Sequence, residues 1–130
     1  MSYHFSVTVH DDFEGVVSRT REALAEEGFG IVSEIDMAGT LKEKLDYDME
    51  PYLILGACNP PFALRAVQAD PAIGTLLPCN VVVRQSGDAV VVDFMDPQAV
   101  LELVHAEGVR NVADDVRTRM EQVRDTLARG

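Results

Sequence analysis

Polar and apolar residues alternate from Ser2 to His10: Tyr3, Phe5, Val7 and Val9 take one side, His4, Ser6, Thr8 and His10 the other. A period of two predicts a strand buried on one face. Asp11 then opens a helix, and Glu14, three residues on, completes a capping box. Phe13, Val17, Thr20 and Leu24 form its inward stripe, and Gly28 stops it. Alternation returns from Gly30 to Met37, with Ile31, Ser33, Ile35 and Met37 on one side and Val32, Glu34 and Asp36 on the other. Thr40-Leu41-Lys42-Glu43 reads as a second capping box, opening a short helix with Leu41 and Leu45 four apart.

Tyr52 to Cys58 is apolar nearly throughout, the pattern of a central strand covered on both faces. Asn59-Pro60-Pro61 predicts another helix, with Asn as N-cap and proline in the first turn, ending near Asp70-Pro71. A loop leads to a strand from Cys79 to Gln85, which Ser86-Gly87-Asp88 turns into a hairpin with Ala89 to Met95. Asp96-Pro97 caps a helix that breaks near Gly108. Asn111 caps the last one, whose stripe is Val112, Val116, Met120, Val123 and Leu127.

The expected fold is α+β: a two-layer sandwich with a five-stranded mixed sheet and helices mainly on one face. The mixed character comes from a parallel crossover expected through the Pro60–Asp70 helix. The uncovered face is expected to be polar on the outer strands and apolar around Leu53, Leu55 and Val82. Such a patch marks a partner or ligand surface, and a homodimer is the commonest solution.

The 130 residues make one domain over 1–130, long enough for a core without metal or disulfides. With 11 basic and 22 acidic residues the formal net charge is −11. This acidity argues against nucleic acid and against anionic membrane, because both need clustered Lys and Arg. The N-terminus shows no basic region followed by an apolar run, and no stretch has the ~18 apolar residues of a membrane span. The expected compartment is the cytoplasm. Cys58 and Cys79 fit reduced thiols there, and their spacing is neither a redox motif nor a zinc knuckle.

Three segments carry a resemblance: Thr40-Leu41-Lys42-Glu43-Lys44-Leu45, Tyr52-Leu53-Ile54-Leu55-Gly56-Ala57-Cys58-Asn59-Pro60-Pro61 and Leu76-Leu77-Pro78-Cys79-Asn80-Val81-Val82-Val83. Together they resemble the domain of unknown function 302 family, roughly from Phe5 to Leu103. The resemblance implies a small bacterial or archaeal α+β domain, often the whole protein. It implies no reaction, substrate or catalytic residue. Asp46 stands where many relatives carry glycine, which affects only a turn.

Cys58 precedes a helix N-terminus, a place that favours thiolates. Pro60 and Pro61 lack N–H groups, so this helix end is a poor anion cradle. Three readings stand for Cys58: a buried packing thiol, a reactive thiol and a ligand-lining residue. Lys42 and Lys44 are the only lysines; they form either a solvated turn or a site that holds a carboxylate or lowers a thiol pKa. Asn59 is explained by capping, whereas Asn80 needs a partner in a loop or a pocket. His4, His10 and His105 have no ligand spacing, so no metal is expected. No phosphate loop or nucleophile elbow occurs, and no cofactor is implied.

These observations predict a non-catalytic homodimeric domain that binds a small ligand or a protein partner. Its candidate site joins Lys42, Lys44, Cys58, Asn59, Pro78, Cys79 and Asn80. The alternative is a thiol-dependent enzyme or redox accessory protein with Cys58 as nucleophile and a lysine lowering its pKa.

Overall fold

The computed structural model describes residues 2–130. Five strands form: β1 (His4–Val9), β2 (Gly30–Asp36), β3 (Tyr52–Cys58), β4 (Cys79–Ser86) and β5 (Ala89–Met95). The helices are α1 (Phe13–Glu26), α2 (Met37–Leu45), α3 (Pro60–Ala69), α4 (Pro97–Leu101) and α5 (Val109–Ala128). A 3-10 turn over Pro71–Leu76 joins α3 to β4.

The strand order is β1-β5-β4-β3-β2, and every neighbouring pair is antiparallel. The expected mixed sheet is therefore wrong, and the error lies in the β3–β4 connection. α3 is only ten residues, about 15 Å long. The 3-10 turn folds back against it, so the chain re-enters the sheet at the end it left. Cys79 thus lies directly across from Ala57.

Register sorts the side chains into rows. Leu55, Val81, Phe94 and Phe5 form one row across four strands, and Leu53, Val83, Val92 and Val7 form the next. These pack in one core with Val16 and Leu24 of α1, Ala66 of α3, Leu101 of α4 and Met120 and Val123 of α5. Leu53 and Leu55, expected on the uncovered face, point into this core. An unbroken apolar run hides its own parity, and only pairing with Val83 and Val81 fixes it. The opposite face presents Tyr52, Ile54 and Gly56 instead.

Local side-chain chemistry moves several helix starts. Asp12, not Asp11, caps α1 by accepting from Gly15 N at 3.0 Å. Asp36 caps α2 by accepting from Gly39 N at 2.9 Å, so Thr40 lies inside that helix. α4 stops at Leu101, well before Gly108, and α5 begins at Val109, leaving Asn111 inside it. Asp96 caps α4 and also accepts from Arg117 of α5 at 2.6 Å, tying the two helices together while nearly buried. Asp46 ends α2 with φ 54°, a left-handed conformation that glycine enters most cheaply.

Candidate functional site

The sheet is open at the end where β3 stops and β4 begins. Here three helices meet it without filling the space. The floor is made by Ala57 and Cys79 from the strands, Ala63 and Ala66 from α3, and Val112 and Val116 from α5. Phe29 and Leu101 close the sides, and Val32, Phe62, Leu77 and Pro78 stand at the mouth. The cavity measures about 270 Å³. It exists because three wall positions are alanine: any larger aliphatic residue at 57, 63 or 66 would occupy it.

Two details of the chain shape the mouth. A β-bulge between Ile31 and Ser33 leaves Val32 without a partner on β3 and 64% exposed. Bulges re-aim side chains, and this one sets an apolar residue at the entrance. Phe62 is held from outside by the guanidinium groups of Arg65, 5.5 Å from its ring centre, and Arg119, at 5.9 Å. Arg65 is in turn fixed to Asp115 of α5 at 3.2 Å.

The lining is almost wholly apolar. Among the described residues none with a charged side chain faces it. Asn59 is its one amide, and Nδ2 of that amide donates to the Glu27 carbonyl at 3.0 Å. The expected capping role is absent, because Asn59 occupies the N-cap of α3 without a side-chain bond to that helix. Instead it ties the start of α3 to the end of α1. The Cys79 thiol is buried, and burial, with the Cys58 thiol nearby, pushes its pKa up to about 12. It is a neutral packing group. Cys58 is only half-buried at the rim. Both cysteines are free thiols.

The proposed cluster of seven residues thus divides. Cys58, Asn59, Pro78 and Cys79 do meet around the cavity. Asn80 is one position further along β4 and is exposed on the other face of the sheet. Lys42 and Lys44 belong to α2, which follows β2 at the far end, where Asp36 pairs with Leu53. Lys42 is taken up there by Asp46 at 2.8 Å and Asp48 at 2.9 Å, both of which raise its pKa. The lysines and Cys58 therefore sit at opposite ends of β3.

Of the other ten lining residues, Phe29, Phe62, Ala63, Ala66, Val112 and Val116 belong to no motif in the sequence. A small-residue face on the Pro60–Asp70 helix, Ala63 and Ala66 three apart, was the available signal.

The family model for the domain of unknown function DUF302 matches residues 5–127. The chain belongs to this family. The crystal structure of an uncharacterised conserved DUF302 protein from Bacillus stearothermophilus superposes with a TM-score of 0.89. It is 27% identical, and the match covers 97% of this chain and 98% of that one. No curated protein is similar to the chain. Within this DUF302 domain the cavity is bounded by two of the three segments that carried the resemblance, the β3 end with its Asn59-Pro60-Pro61 and the Leu77-Pro78-Cys79 entry to β4. The third segment, α2, lies apart from it.

Proposed function

We propose that this DUF302 domain is a non-catalytic binding module for a compact, neutral, apolar ligand held between β3, β4, α3 and α5. The observation that carries this reading is the lining: an open space of about 270 Å³ walled by aliphatic and aromatic groups, with no charged side chain and a single amide, Asn59, whose Nδ2 donates to the Glu27 carbonyl. An apolar cavity of about 150 Å³ stays dry and takes up benzene, so this one suits a bicyclic or roughly ten-atom hydrocarbon-like group. A charged ligand would lose its hydration and gain no partner.

The chain contains no tryptophan, so a change in indole emission reports binding without a tryptophan signal from the protein. Indole should bind with a Kd on the order of 0.1 mM, from the apolar area such a molecule buries less the cost of immobilising it. Ala66→Leu fills the floor and should weaken indole binding at least tenfold while leaving the fold intact. Equal binding by wild type and Ala66→Leu, or none by wild type, overturns the reading.

A further inference from the structure

The sheet face turned away from the helices is mapped by register. One row runs Ile35, Ile54, Val82, Asp93 and Ser6 across all five strands. Beside it run Tyr52, Arg84, Val91 and Thr8. The apolar members occupy the middle strands and one edge, and Ser6, Thr8, Asn80 and Ser86 form an exposed polar margin. Ile35 is 45% exposed.

The charge on this face is unlike the rest of the molecule. Among the described residues its one carboxylate is Asp93, which accepts from Arg84 Nε at 2.6 Å and from the Ser6 hydroxyl at 2.5 Å, and His4 stands on the same face beside it. Burial alone would raise the Asp93 carboxyl, but the Arg84 guanidinium and the Ser6 hydroxyl hold it below the usual carboxylate range. The face is therefore electrically closed in a chain of net charge −11.

From this we infer that two copies of the chain pack through this sheet face as an isologous dimer. A basic partner would select the acid-rich remainder of the surface, and for an acidic partner the guanidinium of this face, Arg84, is already paired with Asp93. A second copy presents what fits: an apolar centre, a polar margin and no net charge. Pairing through the acid-rich parts of the surface would instead set carboxylates of the two chains against each other. Five strands at about 4.8 Å spacing and six residues of about 3.3 Å give roughly 480 Å² in plan. A standard stable interface needs about 800 Å² from each partner, so the dimer is small and reversible.

Sedimentation velocity over a hundredfold range of concentration tests this. Wild type should pass from monomer to dimer, and added salt should tighten the dimer by screening the repulsion between the acidic bodies. Val82→Arg should stay monomeric with unchanged circular dichroism. Leu64→Arg, at an exposed apolar position of α3, should dimerise as wild type does. If Val82→Arg fails to fold, Ile35→Lys at the exposed edge gives the same reading. A wild type that is monomeric throughout, a folded Val82→Arg or Ile35→Lys that still dimerises, or loss of dimer in Leu64→Arg overturns the inference.

Discussion

Cys58 and Cys79 illustrate how little residue type decides by itself. Both follow apolar runs and precede asparagine, yet one is half-buried at a cavity mouth and the other is enclosed. Burial raises the Cys79 pKa to about 12, so the folded protein holds it protonated where an unfolded chain would not. The consequence for stability has a definite sign. The Cys79 contribution is complete below the unfolded thiol pKa of about 8.5 and is lost as pH rises towards the folded value. A thiol reagent at pH 8 should therefore label one equivalent per native chain, at Cys58, and the second only after unfolding. Mass spectrometry of the labelled peptides checks this; native labelling of Cys79 at a rate equal to Cys58 contradicts it. The candidate site already joined the two thiols, but the antiparallel strand direction that makes them neighbours was not legible, because nothing local to either cysteine reports it.

At the scale of elements, the strands were the most legible part. Alternation placed β1, and the Ser86-Gly87-Asp88 turn placed the β4–β5 hairpin to within a residue. Helix starts were less so, because several aspartates compete to cap and the winner is set by which backbone N–H it reaches. The alternation in β2 broke at Val32, where the bulge puts Ile31 opposite Ala57 and Ser33 opposite Gly56, on opposite faces of the sheet. Gly56 records that rearrangement. A Cβ added there would lie 2.1 Å from the Ser33 hydroxyl and 2.8 Å from Pro78 Cγ. Gly56→Ala should destabilise the protein by about 1–3 kcal/mol, the range for overpacking a filled site. Ser33→Gly in the same chain should recover part of that loss, but not all, because the Pro78 clash remains. Chemical denaturation of the single and double variants measures both; a Gly56→Ala variant as stable as wild type would show that Pro78 and Ser33 yield freely.

For the molecule as a whole, composition and pattern placed the chain among α+β domains, and the resemblance to its family holds over 5–127. What they could not supply was the full lining of the cavity. Four of the seven candidate residues, Cys58, Asn59, Pro78 and Cys79, do surround the cavity, because strand ends and proline-rich junctions are where unusual residues collect. The rest of the wall is ordinary alanine, valine and phenylalanine from α3, α5 and the β2 entry, residues whose role comes only from what they leave unfilled. The two lysines stood out for their rarity, but the β2–β3 register carries them to the far end of the sheet. The cavity and the neutral sheet face are separate surfaces, so ligand uptake and self-association should vary independently.

The most direct test of the cavity's role is an amide NMR titration of the native protein with indole. Binding in the cavity predicts saturable shifts concentrated at Cys58, Phe62, Ala66 and Val116, with Ile54, Val82 and Val91 on the opposite face of the sheet unmoved. Shifts centred on that opposite face, or spread without saturation over the surface, would contradict the account.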